Sequence, residues 1–201
     1  MLSDDEIIYR SALYPRMVKS GVVAPEKAVS DFFREADANG NTIYTISVGR
    51  GTLFRSLDHV HDYGCRVAAN TNEERAKEKG SPLERPGQTV HYLGSFKLAV
   101  SDVLAAPRRL VDLSVVHHPL PGLDEHCNIV MQRNAIEARK SEVSAERTSI
   151  LVHLRLSLYD PEPHICACDV DLISTFGDVR LTLAPAGESG EIPLTSDRRK
   201  D

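Results

Sequence analysis

Tryptophan is absent from this 201-residue chain, and aromatic residues make up only 5% of it. A single-strand nucleic-acid binder built on stacking platforms needs more rings than this. A basic excess is missing too: 24 Lys and Arg face 29 Asp and Glu, a formal net charge of -5. The electrostatic footprint of nucleic-acid binding is therefore not visible overall, so that class is not favoured, although a local basic patch has room. Four cysteines are too few for a disulfide scaffold. The first ten residues, MLSDDEIIYR, are acidic and carry no long apolar run, so no secretory signal is expected. No window approaches the roughly 18 uninterrupted apolar residues of a membrane span. The expected location is a reducing cytoplasm.

What is present suits an ordinary folded body. A hydrophobic fraction of 41% beside 26% charge is normal for a globular protein, and the length allows one good-sized core without staples. Strands are read at 6–11 and at 41–49, the second with partly apolar faces on both sides and so central in a sheet. Between them, APEKAVSDFFREADANGN has Pro25 in its first turn and Ala28, Val29, Phe32, Phe33 and Ala36 at helical spacing, stopped by Asn39-Gly40. TLFRSLDHVHDYG reads as a second helix, ended by Gly64, with a strand at 65–71 after it. The charged stretch 72–88 reads as a surface loop. RLVDLSVVHHPLPG (109–122) reads as a strand ending at Pro119 with a turn after it, and the short apolar segment at 126–132 fits either a strand or a helix.

Beyond 148 the pattern changes. SILVHLRLSLY alternates strictly, Val152, Leu154, Leu156 and Leu158 against His153, Arg155, Ser157 and Tyr159, as a half-buried strand does. Residues 164–173 and 178–184 alternate as well. The fold class read from this is α+β: a mixed sheet with two main flanking helices over 1–132, a polar helix or linker over 133–147, an antiparallel three-strand meander over 148–184, and a disordered tail over 185–201.

Chemistry is harder to find. Cys166 and Cys168 are one residue apart, too close for the usual zinc pair, and share a strand face with apolar neighbours. His59 and His61 point about 200° apart on a helix. His117 and His118 face opposite ways on a strand. No metal site is expected. There is no G-x-S-x-G elbow and no phosphate loop; GRG at 49–51 reads as a tight turn, where backbone N–H groups and Arg50 offer at most an anion contact.

The order of a strand ending in IYR, then IYTISVGRGTLF, GCRVAA and VVHHPLPGLDEHCNIVM, resembles small bacterial toxin-associated proteins of the RES type, with an ADP-ribosyltransferase-like layout. That resemblance implies an Arg on the first strand contacting NAD, a hydroxyl on a middle strand lining the pocket, and a late polar or acidic residue completing it. The matching positions are Arg10, Tyr44 or Ser47, and Glu125 or His126. The layout's late acidic strand residue has no clear counterpart.

Two functions follow. One is a non-catalytic binding module or accessory subunit with a protein partner or a second copy, and no cofactor. The other is an NAD-consuming transferase or glycohydrolase using Arg10, Tyr44, Ser47, Glu125 and His126, with Arg10 and Arg50 holding NAD. Convergence of Arg10, Tyr44, Ser47 and a carboxylate favours the enzyme; Arg10 and Ser47 on opposite faces of the sheet favour the module.

Overall fold

The computed structural model describes residues 2–19, 22–23, 25–30, 32–36, 41–80, 83, 89–134 and 138–164. In chain order the elements are β1 (Ile7–Tyr14), β2 (Val18–Lys19), β3 (Val22–Val23), α1 (Pro25–Ser30), β4 (Phe33–Ala36), β5 (Thr42–Arg50), α2 (Leu57–Lys79), β6 (His91–Ala99), α3 (Val100–Leu104), β7 (Val111–His117), β8 (His126–Arg133), α4 (Lys140–Ser157) and β9 (Tyr159–Pro163). This is the expected α+β class. One sheet runs β7-β8-β5-β1-β6-β9, with β4 also on β5, and all its pairings are antiparallel. Among the described residues no helix is long and apolar enough to cross a membrane.

Registers assign the two faces. Ile8 pairs with Arg50, and Val48 with Cys127. Side chains alternate along strands, so Arg10, Tyr44, Ile46, Val48, Cys127 and Ile129 share one face. Ser47, Gly49, Asn128 and His126 share the other. Helices α1 and α4 cover the first face: Arg10 reaches Ala28 of α1, and Arg147 of α4 lies over Tyr44. Helix α2 covers the second. A Cβ on Gly49 would stand 2.6 Å from Phe54 Cζ and 2.8 Å from Tyr63 Cε1, so this close approach requires glycine.

Helix α2 starts at a real cap. The Ser56 hydroxyl accepts from His59 N–H at 3.2 Å, and Gly80 closes the helix in the left-handed region at φ 68°. It runs through Gly64, through the strand expected at 65–71, and into the stretch expected to be a loop. Gly64 is not a stop; a Cβ there would lie 2.2 Å from the Tyr92 ring, so the residue lets helix and sheet touch. The helix expected from 25 is only one turn and a half long. Past Ser30 the chain turns to strand β4, and Phe32 packs edge-on to Tyr44 with centroids 5.2 Å apart.

The strand expected over 149–159 is helix for most of its length. Ile150, Leu154 and Leu158 are buried while Val152 and Leu156 are 44% and 68% exposed. Burying every fourth residue selects the helix, and each fully buried side chain contributes roughly 1.5–3 kcal/mol. Glu146 ties α4 to the start of β7, its Oε1 accepting from the backbone N–H of Arg109, Leu110 and Val111 at 2.8, 2.7 and 2.9 Å. Strand β9 then pairs with β6. The other two meander strands and the tail, with Cys166 and Cys168, lie outside the described residues.

Candidate functional site

Strand β5 is central because both its edges are used. One pairs with β8 along its length; the other pairs with β4 at Thr42–Thr45 and with β1 at Gly49–Arg50. On the face beneath α2, the register puts Gly49 opposite His126 and Ser47 opposite Asn128. Ser47 and His126 are thus diagonal neighbours, within reach of each other. Ser47 Oγ lies 2.6 Å from His126 Nε2, and His126 Nδ1 lies 2.7 Å from the His118 carbonyl. A carbonyl only accepts, so Nδ1 carries the proton. Nε2 then presents its lone pair, and Ser47 donates to it. Burial pushes the His126 imidazole below its ordinary pKa, and the charges of His118, Arg10 and His117 add to this against the bond to His118. The ring is therefore a neutral base beside a hydroxyl.

Tyr63 of α2 donates to the Val48 carbonyl at 3.0 Å, and its oxygen also faces Ser47. Burial drives its phenol well above the usual range. Glu125, in the turn before β8, completes the group. Its Oε1 accepts from His59 Nε2 at 2.7 Å and Arg66 Nη2 at 3.1 Å, both from α2. Its Oε2 is buried and has no partner among the described residues. Burial alone would raise this carboxyl; bonds from its own backbone N–H, Arg66 and His59 outweigh that and hold it below the usual range. Arg66 is braced in turn by Asp62 at 2.9 Å and by the Gly122 carbonyl. The rings of Tyr9, His59 and Tyr63 surround Phe54, with centroids 5.3–5.4 Å from it.

The residues singled out from sequence divide in two. Ser47, Glu125 and His126 gather under α2. Arg10 starts from the opposite face, is 4% exposed, and spans the gap where the β1–β5 ladder ends. Its Nη1 donates to the Ser47 carbonyl at 2.7 Å and its Nε to the Ala28 carbonyl at 2.8 Å. Arg10 therefore touches the backbone of Ser47 rather than its hydroxyl. Tyr44 is on the Arg10 face, under the Arg147 guanidinium at 3.9 Å, and does not join. Arg50 is bound to Glu6, Nε to Oε1 at 2.8 Å, and the same oxygen accepts from Thr52 N–H and Oγ. The buried Glu6 carboxylate satisfies the GRG turn from within.

His59, Tyr63, Arg66 and the His118 carbonyl were not singled out from sequence as parts of this site. The available signal was their spacing: His59, Asp62 and Arg66 fall on one helical face. No group of three or more His, Cys, Asp or Glu residues among the described ones could hold a metal ion. Cys127 is buried, and its thiol is pushed up to about 11 by that burial. No protein-family model matches the chain, and neither the curated proteins nor the solved structures contain a match to it.

Proposed function

We propose that the chain binds NAD and cleaves its nicotinamide–ribose bond, passing the ADP-ribosyl group to water or to an acceptor hydroxyl. One observation carries the reading: the Ser47–His126 hydrogen bond beside a buried carboxylate with one unsatisfied oxygen. A buried acceptor without a donor costs about 1–3 kcal/mol. A ribose hydroxyl is a donor of the right kind for Glu125 Oε2, and reaches it only when the cover over that oxygen opens. Arg10, Ser47 and His126 come from the neighbouring strands β1, β5 and β8. Arg10 and Tyr44 belong to the face opposite Ser47, so the convergence that the resemblance implies is not met, and the reading rests on Ser47, Glu125 and His126 alone.

When bound, NAD supplies a glycosidic bond to a cationic nicotinamide ring; its cleavage releases neutral nicotinamide and leaves positive charge on the ribose. Glu125, held anionic by Arg66 and His59, balances that charge electrostatically. Ser47 fixes the orientation of His126. The attacking water or hydroxyl passes its proton to Ser47 Oγ as Ser47 passes its own to His126 Nε2, while the new C–O bond forms. Arg10 keeps β5 in register with α1 so that Ser47 stays in place.

The test is nicotinamide release from NAD, together with thermal shifts for NAD and ADP-ribose. Glu125→Gln is expected to abolish release. Neither release nor a shift with either ligand would overturn the reading.

A second reading, a non-catalytic module for a protein partner or a second copy, has its own support. Val152 and Leu156 project from α4 into solvent, and Tyr159 beside them is 37% exposed. A monomer by size exclusion whose mass is unchanged at high concentration would count against self-association.

A further inference from the structure

The opposite face of the sheet carries a second concentration of charge. Arg147 of α4 has its guanidinium carbon 3.9 Å from the centroid of the Tyr44 ring and 5.7 Å from that of Phe32. Arg34, the cross-strand neighbour of Tyr44 on β4, lies 5.8 and 5.7 Å from the same two centroids. Arg34 is exposed and Arg147 half-buried. Neither has a carboxylate partner among the described residues.

The carboxylates that α4 carries near Arg147 are committed elsewhere. Glu142 caps the Arg139 N–H, and Glu146 holds three N–H groups of the α3–β7 connection. A guanidinium stacked on a ring keeps its N–H edge turned outward. Arg147 spends one N–H on Ser144 Oγ at a long 3.3 Å. Two cations are thus mounted on the same pair of rings without an anion, in a chain whose net charge is -5. Such a pair repels itself until an anion bridges it.

We propose that Arg34 and Arg147, carried by Phe32 and Tyr44, form a binding site for the phosphate group of a phosphate ester. Phosphate suits the site better than a carboxylate. Its charge of one to two is spread over tetrahedrally arranged non-bridging oxygens, which can face two N–H forks from different directions, where a planar carboxylate faces one. The site is separate from Ser47 and His126, whose side chains lie beneath α2, so it stands whether or not NAD is the substrate.

The experiment titrates the full chain with inorganic phosphate, with AMP and with a short single-stranded oligothymidylate, by calorimetry at low and high salt. At least one probe is expected to bind at about 1 mM or tighter and to weaken as salt rises. Arg34→Gln and Arg147→Gln are each expected to weaken binding about tenfold or more. Arg147→Lys, which keeps the charge and loses the fork, should rescue only part. Ser47→Ala should leave binding unchanged, which separates this site from the NAD site. Equal binding of phosphate and AMP supports recognition of the phosphate alone; much tighter binding of the oligothymidylate supports a nucleic-acid strand as its source. No binding by any probe, or binding unchanged in the Arg34→Gln/Arg147→Gln double variant, overturns the proposal.

Discussion

Ser47 donates its hydroxyl proton to His126 across two antiparallel strands, at 2.6 Å, while the backbone of His118 holds the far side of the ring. Both imidazole nitrogens are therefore satisfied by groups on neighbouring strands, and the ring has one orientation. Ser47→Ala leaves Nε2 buried without a donor, which should cost about 1–3 kcal/mol in chemical denaturation. If the ring is the base, His126→Ala should lower NAD cleavage by about 10²-fold or more. His118→Ala should do much less, because that residue contributes its carbonyl. Equal losses from His118→Ala and His126→Ala would contradict the assignment of the orienting role to the backbone.

The same ring makes stability depend on pH. Burial depresses His126 below its ordinary value of 6.5. Above that value neither the folded nor the unfolded chain carries the proton, and the contribution of the neutral, bonded ring is complete. As pH falls through 6.5 the unfolded chain takes up a proton that the native one refuses, and stability is lost until the depressed native value is reached. The urea midpoint of wild type relative to His126→Asn should therefore be greatest near neutral pH and shrink as the solution is acidified toward pH 5. His61 is depressed too, by burial and by His164 stacked on it, but it is common to both proteins and cancels. A difference that grows on acidification would contradict the neutral ring.

Gly64 gives an unusual helix-interior test. Glycine there costs the helix about 1 kcal/mol relative to alanine, so Gly64→Ala would stabilise an isolated helix. In this chain the new methyl would stand 2.2–2.5 Å from three atoms of the Tyr92 ring. Tyr92 is 1% exposed and its hydroxyl is bonded to Ser95 at 2.7 Å, so it has no open space to move into. Overpacking of this kind typically costs 1–3 kcal/mol. We expect net destabilisation by about 1–2 kcal/mol, read as a lower denaturation midpoint. Gly64→Ala combined with Tyr92→Leu should recover part of the loss.

Of the strands around the candidate site, β1, β5 and β7 were legible in sequence, while the apolar segment that forms β8 was too short to assign a type. Residues 41–49 show apolar character on both faces, and β5 is indeed flanked on both edges. The helices were harder for a geometric reason. Alternation with period two contains a period-four series: Ile150, Leu154 and Leu158 sit in the alternating set with Val152 and Leu156. A helix buries the first three and exposes the other two, which sequence alone cannot separate. Gly64 misled because its role is to admit the Tyr92 ring, a residue 28 positions away, and no local signal encodes that contact. At the site, Ser47 and His126 were both noted, but their bond depends on the β5–β8 register. Arg10 was read as a ligand contact, and its local sequence gave no hint that β1 and β5 separate just where its side chain must bridge them.

Glu146 offers the sharpest separation of a charge effect from a hydrogen-bond effect. Its Oε1 accepts from three consecutive backbone N–H groups, so one oxygen anchors α4 to the first residues of β7. Bonds to an ionised acceptor are worth more than neutral ones, about 1.5–3 kcal/mol each in favourable cases, and this site is only half-buried, which lowers that figure. Glu146→Ala removes all three at once, and we expect a loss of about 2 kcal/mol or more, with faster amide exchange at Leu110 and Val111. Glu146→Gln keeps a carbonyl oxygen in nearly the same place and should lose less than half as much. If Glu146→Gln is as damaging as Glu146→Ala, the negative charge itself holds the connection; if neither changes amide exchange at Leu110 and Val111, the three bonds do not anchor it.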